Sequence, residues 1–400
     1  MKNILIVGAG RGQVGLYKAA REMGMRSVAV SIKGDYPGFD LADEIEYADI
    51  TDAEAVLKAA EKHHADAIVS ACIDISVPAI GYVCDKLGLR GISHEAAVIC
   101  TNKLAMKKAF EEHGVRTARY VKIDAADADN ADKVTEICSH LNYPLITKPV
   151  DLAGSRGINI VSDETGLADA VKMTMSETAE DYCIVEEYID GYEFSATAFV
   201  SDGEILFVLP TGDVRYGEND EIPAGHYLPF EAEEEVLKDT DVQMSNGIRS
   251  LDLDNCAVNA DLMLMDGKVY ILEMTGRLGA NCIPELTSIY MGYDINRMII
   301  EDALGIKDYA EKIKPDMVPR RPCHAQMIVS EESGVVKDIH VPEEAAAIAD
   351  ILFFSKPGDS VRKFSCTNDC VGQIVTEGRT LEEAKEKAQE ALEMIKIELE

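Results

Sequence analysis

The first hundred residues alternate short apolar runs with stretches of helical period: Ile4 to Val7, Gly15 to Met23, Ser27 to Ile32, Ala53 to His63, Ala67 to Ala71 and Ile75 to Leu87. A parallel α/β unit produces this rhythm, because each buried strand must return through a crossover helix. From Thr101 the pattern changes. Thr101 to His113 reads as a helix, capped by Thr101 or Asn102 and ended by Gly114. Strands follow at Arg119 to Lys122, Leu145 to Pro149, Gly157 to Val161 and Cys183 to Tyr188, with a helix from Asp132 to Leu141 between them. Glu193 to Val200 and Glu204 to Leu209 flank Ser201-Asp202-Gly203, and Cys256 to Met265 and Lys268 to Glu273 flank Asp266-Gly267. Both pairs predict hairpins, so this middle region is α+β. A charged, proline-bearing connector from Lys312 to Pro322 leads to strands near Ala325, Val335 and Ile351 and a closing helix from Thr380 to Leu399. At 400 residues the chain exceeds what one core usually supports, and the pattern divides it into 1–101, 102–310 and 311–400.

The net charge of −33 disfavours nucleic acid and anionic lipid as partners, since both would be repelled over most of the surface. No apolar run approaches a membrane span, and Met1 leads directly into the first strand without a leader-like segment. Ten scattered cysteines with no CxxC pair point to reduced thiols and a cytoplasmic protein. A homodimer is compatible with this class of chain. On so acidic a chain, an anion site must gather positive charge locally.

Several residues do so in order. Lys103 opens the helix after the first domain, and Lys148 ends a strand six residues before Gly154-Ser155-Arg156-Gly157. A lysine on a buried strand without an anion is costly, so a phosphate partner is the simpler reading, with an exposed edge lysine as its rival. The glycine-bearing loop could then wrap terminal phosphates. Glu186-Glu187-Tyr188-Ile189 ends another strand, where backbone groups could read adenine, and Glu193 could accept from a ribose hydroxyl; a solvated acidic turn would look the same. Asp261 and Glu273 lie on opposite strands of the second hairpin. A tight turn at Asp266-Gly267 pairs Asp261 with Leu272, so a bulge or longer turn is needed to bring both acids together. Such a pair fits Mg²⁺ or Mn²⁺ bridging phosphates, against the alternative of two solvated acids. Arg277 follows four residues later, where its fork could hold a carboxylate or a transferring phosphoryl group. His226, in Gly225-His226-Tyr227-Leu228-Pro229, is a candidate substrate contact. Gly10-Arg11-Gly12-Gln13-Val14-Gly15 with Asp35 beyond it satisfies a dinucleotide pattern, yet glycines there equally serve helix-on-sheet packing.

The order of these motifs resembles the ATP-grasp superfamily. The resemblance implies an N-terminal Rossmann-like domain of the biotin carboxylase type, a central ATP-grasp domain and a small C-terminal domain. It also implies ATP contacts from Lys103, Lys148, Gly154, Ser155, Arg156, Gly157, Glu186, Glu187, Tyr188, Ile189 and Glu193. Metal would be held by Asp261, Glu273 and Thr275, the last standing where the family often has Asn. Arg277 and Lys148 would be catalytic, and His226, Arg277 and Asn281 would meet substrate. Gly225 to Pro229, Glu273 to Asn281 and the C-terminal region are most similar to L-amino acid ligases and related carboxylate–amine ligases. The implied reaction is ADP-forming ligation of a small-molecule carboxylate to an amine through an acyl phosphate. Rivals are a biotin carboxylase-like or carbamoyl phosphate synthase-like enzyme, an ATP-binding sensor without turnover, and a nicotinamide oxidoreductase.

Overall fold

The computed structural model of the chain describes residues 1–152, 156–216, 222–314 and 320–400. Its first sheet is parallel, in the order Glu44–Tyr47, Arg26–Ser31, Asn3–Val7, Ala67–Val69. Asn3–Val7 is buried on both faces, which is why it reads as an unbroken apolar run. Gly12 and Gly15 are required by close approach: a Cβ on Gly12 would lie 2.5 Å from Cys72 Cβ, and one on Gly15 2.4 Å from Asn296 Nδ2.

The middle region forms two antiparallel layers. A four-stranded sheet runs Tyr120–Asp124, Tyr182–Glu187, Leu145–Pro149, Asn159–Val161, with helices Ala131–Cys138 and Leu167–Glu177 closing its core. Helix Lys103–Glu112 leads into it. Asn102 is its cap, its side chain accepting from the Ala105 amide at 3.0 Å, and Gly114 ends the turn at φ +67°.

The larger sheet has eight strands, in the order Lys268–Thr275, Cys256–Met265, Tyr192–Ser201, Glu204–Tyr216, Ile222–Leu228, Cys323–Ile328, Gly372–Glu377, Asp350–Phe353. Both expected hairpins are in it. It continues into the C-terminal region, since Cys323–Ile328 pairs with Ile222–Leu228. The closing helix is shorter than expected, Leu381–Met394, and Lys396–Leu399 instead pairs with Gly334–His340. Its alternation of exposed and half-buried residues is a strand's period, which the preceding helical run masked.

Two ionic joints fix the layer around the first, parallel sheet against the large sheet and its helices. Arg90 spans Asp302 (3.1 and 3.2 Å) and Ser201 (2.8 Å), with the Tyr309 hydroxyl donating to Asp302 at 2.5 Å. The second joint, Arg277 with Asp74, lies in the candidate site. Among the described residues, no helix is long and apolar enough to cross a membrane.

Candidate active site

The Asp266-Gly267 turn pairs Met265 with Lys268 as counted, and the ladder stays regular to Leu262 and Ile271. There the register shifts, so that Asp261 faces Glu273 and Leu272 is the extra residue. This bulge sets the two carboxylates side by side. Burial, then the charge of Glu273, pushes the Asp261 carboxyl up to about 7, with Glu193 and Asp213 adding to the negative field. Two crowded hard-oxygen donors of this kind fit a divalent cation, which would relieve both effects. Among the described residues no set of three His, Cys, Asp or Glu side chains could hold a metal by itself. A cation at this pair would therefore need oxygens from outside, such as phosphates. The third expected ligand, Thr275, has a buried hydroxyl with no well-formed hydrogen bond, close enough to Asp74 to help hold that carboxyl low.

Positive charge meets this pair from one side. Lys103, in the first turn of its helix, places Nζ 3.2 Å from Glu273 Oε1 and donates to the Leu152 carbonyl at 2.7 Å. Lys148 is buried on the Leu145–Pro149 strand and lies 3.0 Å from Glu186 Oε2. That same oxygen is 3.1 Å from Nζ of Lys107, which is itself only 1% exposed. Burial opposes ionisation of Glu186, but the charges of Lys107 and Lys148 outweigh it and hold the carboxyl below its ordinary range. Glu186 Oε1 is buried with no partner.

The residues that follow Glu186, and Glu193, are partly committed. Glu187 Oε1 accepts from Arg119, from the Asn142 amide and from Asn142 Nδ2, each at 2.9 Å. The Glu187 and Tyr188 amides donate to the Arg119 and Pro144 carbonyls at 2.9 Å, while Ile189 is buried. Glu193 accepts from Arg215 at 2.6 Å. Gly154 and Ser155 lie outside the described residues. Arg156 is exposed, and Gly157, at φ +69°, turns its carbonyl to the Thr174 hydroxyl at 2.9 Å.

Arg277 is not free. Its Nε and Nη2 donate to the two oxygens of Asp74, each at 2.7 Å, a bidentate pair across the domain joint. Burial disfavours both charges, yet each outweighs this for the other: the Asp74 carboxyl is held low and the guanidinium raised. His226 faces Asp213 across the hairpin ladder and its Nδ1 lies 2.9 Å from Asp213 Oδ1. Asn281 is exposed and left-handed at φ +54°, just before the helix Ile283–Met291. Reading the sequence missed Lys107, Asp74 and Asp213. Only Lys107 had a local signal, standing one helical turn after Lys103.

In the N-terminal glycine turn, the Gly10 amide donates to Gln13 Oε1 at 2.9 Å, so a side chain of the protein takes an amide that a dinucleotide phosphate would need. Packing accounts for the glycines without a nicotinamide cofactor.

Known proteins share the fold on which these residues sit. Residues 101–286 match the model of the phosphoribosylglycinamide synthetase ATP-grasp (A) domain, and residues 326–400 match L-amino acid ligase C-terminal domain 2. The crystal structure of phosphoribosylglycinamide synthetase from Anaerococcus prevotii is 37% identical, with a TM-score of 0.84 and all of both chains covered. L-amino acid ligase from Bacillus licheniformis, at 18% identity and a TM-score of 0.82, covers 100% of this chain and 99% of its own, a likeness of fold. Alanine–anticapsin ligase from Bacillus subtilis is 25% identical over 62% of this chain and 56% of its own length. Formate-dependent phosphoribosylglycinamide formyltransferase from Bacteroides thetaiotaomicron is 29% identical over 54% of this chain and 56% of its own. The chain thus spans little more than half the length of these two curated relatives. Full-length likeness at 37% identity, together with the matched domain model, decides the family: the chain belongs to the ATP-grasp superfamily.

Proposed function

We propose that the protein is an ADP-forming carboxylate–amine ligase acting on small molecules in the cytoplasm, with residues 1–101, 102–310 and 311–400 as its three domains. The observation that carries this reading is the Asp261–Glu273 pair at its bulge, with Lys103 3.2 Å from Glu273. A positive group and two metal-type acids converge there, which suits a polyphosphate. Lys103 and Lys148 would neutralise ATP phosphates, and the hinge at Glu186 to Ile189 with Glu193 would hold the nucleoside. Mg²⁺ at Asp261 and Glu273, with Thr275 beside them, would supply charge compensation for phosphoryl transfer. A substrate carboxylate oxygen attacks the γ-phosphorus and ADP leaves, giving an acyl phosphate. An amine then adds to the acyl carbon, phosphate leaves, and the amide remains. Arg277 would offset charge on the acyl phosphate from its fixed position beside Asp74, with His226 and Asn281 facing substrate.

For the carboxylate we favour an amino acid. The names alanine–anticapsin ligase and phosphoribosylamine–glycine ligase each contain one. Phosphoribosylamine with glycine is the second reading, favoured by the full-length 37% likeness to a phosphoribosylglycinamide synthetase. A matrix of amino acids against amines, with phosphoribosylamine among them, read by ADP release and product mass, tests both. Turnover only with an amino acid plus an amine supports the ligase. ATP consumption indifferent to every pair counts against it.

A further inference from the structure

Lys107 belongs to no motif of the site, yet it is more deeply buried than either Lys103 or Lys148. It lies one turn beyond Lys103 on the helix Lys103–Glu112 and is 1% exposed. Its Nζ has two partners: Glu186 Oε2 at 3.1 Å and Thr117 Oγ1 at 2.7 Å. The Thr117 hydroxyl donates its own hydrogen to the Ile271 carbonyl at 2.7 Å, so toward Lys107 it can only accept. Thr117 therefore ties this ammonium to the strand that carries Glu273. Burial pulls Lys107 down to about 8, which leaves it mostly charged at neutral pH.

The arithmetic of charge is what matters. One carboxylate, Glu186, serves two ammoniums through a single oxygen, with Lys148 at 3.0 Å and Lys107 at 3.1 Å. Lys107 is enclosed and fixed, whereas the Lys148 side chain retains 11% exposure. If Lys148 alone faced Glu186, the pair would be neutral and closed, and drawing Lys148 toward a phosphate would strand a buried carboxylate. With Lys107 in place, Glu186 keeps a countercharge when Lys148 turns away.

We propose that Lys107 is a positioning residue: it compensates Glu186 whether or not nucleotide is bound and thereby leaves Lys148 available to the nucleotide phosphates. This rests on the reading of Lys148 as a phosphate ligand given above. Lys107 touches no substrate and acts through Glu186 and Lys148 only.

A double-mutant cycle on the full-length protein tests it, with ADP·Mg²⁺ affinity by calorimetry and ATP KM and kcat by ADP release. Lys148→Met should weaken ADP about ten- to hundredfold, the range of a charge-assisted contact. Lys107→Met should weaken it about tenfold and raise the ATP KM more than it lowers kcat, while Lys107→Arg, which keeps the charge, should restore most of the loss. The discriminating arm is Lys107→Met in the Lys148→Met background, where no further loss of affinity is expected. Additive losses, a lack of rescue by Arg, or unchanged affinity in Lys107→Met would overturn the proposal. Unchanged affinity in Lys148→Met would instead overturn the phosphate reading beneath it. Should Lys107→Met fail to fold, Thr117→Val removes one of the two Lys107 partners, along with the bond to the Ile271 carbonyl, and about threefold weaker ADP binding in it, abolished in the Lys148→Met background, carries the same inference; unchanged binding, or an effect that persists there, refutes it.

Discussion

Because burial and then the charge of Glu273 raise the Asp261 carboxyl to about 7, a metal held here as proposed would compete with a proton near neutral pH. The carboxyl binds a cation only when ionised, so the apparent dissociation constant carries a factor of 1 + 10^(pKa − pH). With the pKa at 7 that factor is about 11 at pH 6 and about 1.1 at pH 8, a tenfold change or about 1.4 kcal/mol. The sign is set by the upward shift: the protonated form dominates below 7, so affinity for nucleotide with Mg²⁺ falls as pH falls. Calorimetry of ADP at saturating Mg²⁺ at pH 6, 7 and 8 measures it. Asp261→Asn is the reference, because it retains the nucleotide's own titration and lacks this carboxyl. The wild type should lose about ten times more affinity than the variant between pH 8 and pH 6. Parallel pH profiles would refute the account of a crowded, metal-ready pair, since an ordinary carboxylate is already ionised throughout this window.

Other outcomes follow from the same site and its surroundings. If the Arg277 guanidinium offsets charge that develops in the reaction, as proposed, Arg277→Ala should cost about 3 kcal/mol in kcat/KM with much less effect on ADP binding; equal loss in both would contradict that role. His324 is 5% exposed, its Nδ1 has no hydrogen-bond partner, and burial pulls it from 6.5 to about 4. The unfolded chain therefore binds a proton below pH 6.5 that the folded protein refuses until about 4, and stability falls across this window by about 3 kcal/mol. Urea unfolding of His324→Gln should show a flatter decline between pH 6.5 and 4 than the wild type; identical declines would exclude the histidine as the cause.

The α/β rhythm to Leu87 and both middle hairpins were legible because their periodicity and turns are local. Asp261 and Glu273 were legible as two acids on one hairpin, but their register was not. Counting from Asp266-Gly267 leaves Asp261 opposite Leu272, and the bulge that corrects this has no residue signature of its own. Lys107 was hidden for a different reason. A lysine on an amphipathic helix reads as solvated, and only the fold shows that its turn is enclosed by Thr117 and Glu186. Asp74 lies 203 positions from Arg277, so their bidentate pair is invisible to spacing. It changes the picture of that arginine from a waiting fork to one already fixed. Lys396 to Leu399 was absorbed into the preceding helix because its apolar residues continue the helical run, while its strand partner lies some sixty residues earlier.

The central claim is that a carboxylate is activated by transfer of the γ-phosphoryl group before the amine attacks. Positional labelling tests it most directly: the amino acid found active in the substrate matrix is supplied with ¹⁸O in its carboxylate, together with ATP, Mg²⁺ and the amine, and the released phosphate is analysed by mass. The account predicts ADP and phosphate, with one labelled oxygen carried from the carboxylate into each phosphate. AMP with pyrophosphate, or phosphate free of label, would contradict it.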